Sequence, residues 1–182
     1  MSDPEQGLDD VKTRRATASD AAQLAALAVH VWLEIYSTQG VAREDAAHVF
    51  AVFTPRVVSE LLGNPRRVLY VAERQDCLLG FSQACLSVPH AEVSARLPVE
   101  LERLYVQSRS HGRGIGRRLL AEAEAFAAAN GADAIWLTVW VENERALEFY
   151  ARSGYTDIAE TRFCYEGQEV LNRLLVKHDV GA

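Results

Sequence analysis

The chain has 182 residues, of which 49% are hydrophobic and 24% charged, with a formal net charge of −6. That is the make-up of an ordinary globular protein, long enough for one domain with a real core, read here as spanning 11–182. No apolar run approaches the ~18 residues of a membrane span, and the acidic opening "MSDPEQGLDD" lacks the positive start and apolar core of a secretory signal, so residues 1–10 read as a flexible lead-in.

Cys77, Cys85 and Cys164 are odd in number, widely spaced and without a CxxC pair, which speaks against zinc or a disulfide framework and for a reducing cytoplasm. The negative balance argues against nucleic acid as a partner. Arg103, Arg109, Arg113, Arg117 and Arg118 nevertheless crowd one stretch, which suits a small anionic ligand better than a long polyanion.

In chain order, "VKTRRAT" (11–17) reads as a first strand. Ser19 offers an N-cap oxygen to a helix with the apolar stripe Leu24, Leu27, Ala28, Val31, Ile35, ended by "STQG". A second helical region covers about 43–62 and breaks at Thr54-Pro55, where threonine can cap and proline loses no needed N–H. "RVLYVAER" and "CLLGFSQACLSV" form a hairpin turning at Gln75-Asp76. "VELERLYV" (99–106) alternates Val99, Leu101, Arg103, Tyr105 against Glu100, Glu102, Leu104, Val106. A helix burying Ile115, Leu119, Ala123 and Phe126 stops at Asn130-Gly131. Then follow a strand "DAIWLTVW", a short helix capped by Asn143 and ended by Gly154, and strands near 156–165 and 169–177. The order predicts a mixed α/β sheet with helices on its faces.

Between the fourth strand and the long helix lies "SRSHGRGIG". Glycines there let an anion approach the free N–H groups at the positive end of a helix dipole. It is neither of the two common phosphate loops. Arg117-Arg118 stand where the nucleotide P-loop needs Lys-Ser or Lys-Thr, and the last glycine of GxGxxG would fall on Arg117 or Leu119.

The pair "LYVQSRSHGRGIGRRLLAEAEAFAAANG" and "WLTVWVENERALEFYARSGY" resembles the GNAT superfamily of N-acetyltransferases. The first matches the strand ending in Val and the Gln/Arg-Gly-x-Gly-x-Gly/Ala loop. The second matches Asn-x-x-Ala-x-x-Phe-Tyr-x-x-x-Gly-Phe/Tyr as Asn143, Ala146, Phe149, Tyr150, Gly154, Tyr155. His111 departs from the usual Gln or Arg. The resemblance is strongest over 99–157. It implies a mostly antiparallel central sheet flanked by helices, splayed between its fourth and fifth main strands, and acetyl-CoA as cosubstrate.

Acyl transfer to an amine needs a base for the ammonium (pKa ~10.4 in a free alkylamine), donors for the oxyanion and an acid for the leaving thiolate. The resemblance makes Tyr150 the acid; without it, Leu147, Tyr150 and Ala151 would read as a sheet-facing core stripe. Glu102 is the first choice of base and Glu100 the second, both on the strand before the loop, with pairing to a neighbouring arginine the alternative. The resemblance gives the main chain of Leu104, Tyr105 and Val106 to the pantetheine. It gives the amides of Gly112, Arg113, Gly114, Ile115, Gly116 and Arg117 to the pyrophosphate, with charge from Arg113 and Arg118. Asn143 both caps its helix and contacts the CoA arm. His111 can donate to a phosphate, and a nearby dianion should raise its pKa above ~6.5.

Trp32, Tyr36 and Glu34 form a candidate pocket for an ammonium-bearing acceptor, against the alternative that the two aromatics are core. His30 and Glu34 read as a surface ion pair with no metal, and His90 and Glu92 as rim residues. The expected protein is an acetyl-CoA-dependent N-acetyltransferase acting on a small primary amine by direct attack; "ELERLYV" looks like members acetylating polyamines or similar amines. A protein α-amine or lysine acceptor, and a non-catalytic acyl-CoA-binding module, are the competing readings. Family members often form homodimers, and no residue here marks such an interface.

Overall fold

A computed structural model describes residues 10–165 and 167–180; of the lead-in expected at 1–10, all but Asp10 lies outside the described residues. Strands β1 (Lys12–Arg15), β2 (Arg67–Arg74), β3 (Cys77–Leu86), β4 (Pro98–Val106), β5 (Ala134–Trp140), β6 (Thr156–Tyr165) and β7 (Gln168–His178) make one sheet in the order β1-β2-β3-β4-β5-β7-β6. Helices α1 (Ala21–Tyr36), α2 (Arg43–Val52), α3 (Pro55–Leu62), α4 (Ile115–Ala129) and α5 (Glu144–Arg152) cover it.

Local chemistry explains most boundaries. Gln75 and Asp76 both take positive φ (50° and 59°), the conformation that matches a two-residue hairpin turn to strand twist. Thr54 Oγ1 accepts from the Val57 N–H at 3.2 Å, and Pro55 opens α3. The expected Ser19 cap is not made. A short 3₁₀ turn (Ala18–Asp20) leads into α1, and the Asp20 carboxylate accepts from the Thr17 N–H at 2.7 Å. Asp20 is buried and held by both nitrogens of the Arg14 fork, at 2.8 and 2.9 Å, and α1 begins at it with no side-chain cap.

All strand pairs are antiparallel except β4–β5, which runs in parallel for three pairs, Pro98–Ala134, Val99–Ile135 and Glu100–Trp136, and then parts. This is the splay the family resemblance implies. On one face, Leu120 and Ala123 of α4 pack against Ile135 and Leu137; on the other, Leu24 and Val31 of α1 pack against Leu69 and Phe81.

β4 does not alternate strictly. Ala84 pairs with Leu101 but Gln83 with Arg103, which leaves Glu102 as the extra residue of a bulge. Val99 and Leu101 therefore face α4, while Arg103 and Tyr105 face the α1 side, with Arg103 over the Phe53 ring at 5.2 Å. A one-residue slip moves every later side chain to the opposite face.

Candidate active site

β4 ends in a short 3₁₀ turn (Ser108–Ser110), the glycine loop and α4. Gly112 and Gly114 have φ of +75° and +74°, which side-chain-bearing residues rarely adopt, and a Cβ on either would meet nothing within 4 Å. The loop is thus a left-handed backbone beside open space. Gly114 is the N-cap of α4 and supplies no side-chain cap, so the N–H groups of Ile115, Gly116 and Arg117 are left for a ligand. They open into a cleft of about 610 Å³, with Arg117 and Arg145 on its wall and α1 and α5 on its sides.

His111 lines the same cleft. Its Nε2 donates to the Val106 carbonyl at 2.8 Å, which leaves Nδ1 buried with no partner among the described residues. In the free protein its pKa lies below the ordinary value, because burial disfavours the cation. Arg145 acts in the same direction, while the Val106 bond and Glu34 oppose it. Arg113 is exposed, and Arg118 turns away to donate to the Val11 carbonyl at 2.9 Å, so the charge expected of Arg118 goes to β1 instead.

Leu104 and Val106 line the cleft. Tyr105 points to the opposite face, against Phe81 at 5.4 Å and Phe53 at 6.5 Å between ring centres. After Glu100 the β4 edge nearest β5 has no strand partner among the described residues; the Val106 carbonyl is taken up by His111, and the other peptide groups on that edge remain available. Asn143 caps α5 by accepting from the Ala146 N–H at 3.1 Å and also borders the cleft. Tyr150, 6% exposed, sits where the two halves of the sheet part. Burial raises its pKa above the ordinary tyrosine value, helped by the neighbouring Tyr105 and Tyr36 hydroxyls.

The two candidate bases differ. Glu102 is clasped by Arg67 at 3.0 and 2.8 Å and receives a hydrogen bond from Gln83 Nε2. Burial alone would raise its pKa, but these bonds outweigh it and hold the carboxyl below its usual value. Glu100, half-buried and without an ion-pair partner among the described residues, is pushed up to about 7, by burial first and by the Glu102 charge second.

Trp32 is buried against Tyr36 at 4.9 Å and His48 at 5.0 Å, and Tyr36 lies 5.5 Å from Trp140. Tyr36 thus reaches the splay. Glu34 belongs to the glycine-loop rim, where its Oε1 accepts from Ser108 Oγ at 2.9 Å and stands 3.3 Å from His30 Nε2. His90 stacks on Trp136 at 5.0 Å and its Nδ1 accepts from the Glu92 N–H. Sequence reasoning missed Arg145, which a cation in the first turn of a capped helix could have signalled. It also missed Trp140, whose role depends on a long-range contact with α1.

A profile of the "Acetyltransferase (GNAT) family" matches residues 26–155. An uncharacterized N-acetyltransferase of Mycobacterium tuberculosis (strain ATCC 25618 / H37Rv) is 31% identical over 138 residues, which is 75% of this chain and 83% of the relative. The fold is similar to the PaiA N-acetyltransferase of Thermoplasma acidophilum, solved in complex with coenzyme A (TM-score 0.73, 20% identity, 92% of this chain and 98% of that one). It is also similar to Arabidopsis thaliana NAA60 in complex with a bisubstrate analogue (TM-score 0.69, 18% identity, 92% and 97% covered). The chain belongs to the GNAT family of N-acetyltransferases.

Proposed function

We propose that the protein transfers the acetyl group of acetyl-CoA to the primary amine of a small molecule by direct attack within a ternary complex. The observation that carries this reading is Tyr150, buried on the glycine-loop cleft and near enough to Tyr36 and Tyr105 of the opposite face for their hydroxyls to act on its own. Acetyl-CoA supplies a thioester, an acyl group on a good leaving group. The left-handed glycines and the free N–H groups of α4 fit its phosphates, as does Nδ1 of His111 once protonated; Arg117 and Arg145 add charge, and Asn143 borders the same cleft.

The unpaired β4 edge at Leu104–Val106 offers main-chain groups to an extended arm, and an N–H there would meet the carbonyl oxygen. Glu100, poised near neutrality, takes the proton of the incoming ammonium through water, since it stands several residues before the cleft-lining part of β4. Glu102 fixes Arg67 and Gln83 and supplies the charge that keeps Glu100 protonatable; this reverses the order expected from the sequence. Tyr150 stays protonated across the working pH and gives its proton to the departing sulfur.

Among the described residues no helix is long and apolar enough to cross a membrane. We place the enzyme in the cytoplasm, where its three free cysteines suit a reducing medium.

The packed aromatic side of the site favours a small acceptor over a peptide chain. The test is thiol release from acetyl-CoA with a panel of small amines and a short peptide bearing a free N-terminus, for wild type and Tyr150→Phe. Turnover of a small amine, cut at least tenfold by the substitution, supports the reading. Turnover of the peptide alone moves the acceptor class, and CoA binding without thiol release would mark a non-catalytic module.

A further inference from the structure

We propose that Asn172 is a specificity-determining residue of the acceptor site, its Oδ1 accepting a hydrogen bond from an N–H of the amine substrate; this rests on the amine-acetyltransferase reading above. Asn172 lies on β7, 8% exposed, and its Oδ1 is buried with no hydrogen-bond partner among the described residues. A buried carbonyl oxygen without a donor loses its hydration and gets nothing back, so sheets seldom keep one unless something else supplies the donor.

Its position says what that donor is. Asn172 stands directly opposite Trp140 on β5 and Thr161 on β6, and opposed residues in a sheet project to the same side. The same register puts Trp136, Leu174 and Val176 on that face, which is the face of the Trp140–Tyr36–Trp32 ring series. Tyr36 in turn reaches the Tyr150 hydroxyl electrostatically. An unsatisfied hydrogen-bond acceptor beside electron-rich ring faces favours a donor-bearing cation over an apolar group. The substrate class is therefore an aminoalkyl compound whose ammonium, or a second N–H on the same arm, is held at Oδ1.

Leucine, the residue found at Leu171 and Leu174 on the same strand, has the same number and branching of side-chain heavy atoms without an orphan oxygen. Asn172→Leu should thus be neutral or stabilising for the fold while harming acceptor recognition, a combination that a structural role does not produce.

The experiment measures thiol release from acetyl-CoA with putrescine, ethanolamine, tyramine and a free-N-terminus tetrapeptide, for wild type, Asn172→Leu and Asn172→Asp. Expected is a KM for the preferred amine raised at least tenfold by Asn172→Leu, with CoA affinity within twofold and the melting temperature unchanged or higher. Asn172→Asp keeps the acceptor oxygen and retains amine selectivity. Unchanged KM and unchanged ranking of the amines in Asn172→Leu would overturn the assignment while leaving the reaction intact. So would a lowered melting temperature together with lost CoA binding, which would mark a structural residue. Wild type that releases no thiol with any of the four probes overturns the acetyl-transfer reading itself, and the assignment with it.

Discussion

Glu100 and Glu102 stand two residues apart on β4 and hold protons oppositely: Arg67 and Gln83 keep Glu102 ionised, and the resulting charge helps burial lift Glu100 to about 7. On the proposed reading, a pair of carboxylates driven apart by their surroundings lets one strand offer both a fixed anion and a base.

For Glu100 the expected rate rises with pH. As a base it works deprotonated, so kcat/KM should climb through pH about 7 and level above it. Glu100→Gln should remove that rise and lower kcat on the order of a hundredfold. Stability moves the other way. The folded pKa lies above the reference value of 4.5, so the folded state is penalised as pH rises from there to about 7. Glu100→Gln should therefore be more stable than wild type at pH 8, by on the order of 2 kcal/mol, and little different at pH 4. A pH–rate profile and melts at both pH values check this.

Glu102→Ala should act on the fold first. It leaves the partly buried Arg67 guanidinium and the Gln83 amide without their acceptor, at a cost of about 2–3 kcal/mol in urea unfolding. Because the charge beside Glu100 also goes, the rise in activity should shift to lower pH, which a rate profile on the folded variant would reveal.

Tyr150→Phe should cut kcat at least tenfold and leave CoA affinity within twofold, since only a buried hydroxyl is lost. Burial holds that hydroxyl above its ordinary pKa, so wild type should show no loss of activity from its ionisation below pH 10. Stopped-flow or steady-state thiol release over pH 6–10 measures both.

CoA affinity should weaken as pH rises from 6 to 8.5. His111 uses Nε2 for the Val106 carbonyl, so only a protonated Nδ1 can donate to a phosphate, and the free protein holds the ring below its ordinary pKa. Binding must then take up a proton, and each unit of pH between the lowered free-state pKa and the higher bound-state pKa costs up to ~1.4 kcal/mol. Calorimetry in buffers of different ionisation enthalpy should detect the uptake. His111→Ala should abolish it; an equal dependence in that variant would assign the proton elsewhere.

Gly80→Ala should damage the cleft from outside. A Cβ there would stand 2.6 Å from the Tyr105 carbonyl oxygen and 3.2 Å from Leu119 Cδ1, and the first of these is backbone. β4 must shift at its Val106 end, with a loss of about 1–3 kcal/mol and a raised KM for acetyl-CoA. Denaturation and donor saturation curves test it.

The element order and nearly every boundary were readable because they rest on local signals: Thr54-Pro55, Gln75-Asp76, Asn143 and Asn130-Gly131 act through their own backbones. The glycine loop was readable for the same reason. What the sequence hid depends on partners far along the chain. The β4 bulge arises from register against β3, so Arg103 and Tyr105 could not be separated from Val99 and Leu101 by alternation. The difference between Glu100 and Glu102 comes from Arg67 and Gln83, which are remote in sequence, and Asp20 at the start of α1 is fixed by Arg14 from β1. Trp140 and Asn172 carried no local signal at all.

The parting of β4 from β5 has a bearing on traffic. A continuous sheet is a wall, and this one opens between β4 and β5 beyond the Glu100–Trp136 pair. On the proposed reading the donor backs into the opening from the α4–α5 side and the acceptor waits at the ring-lined side. Each spent molecule can then leave by the door it entered, and neither has to clear the other's exit before the next turnover.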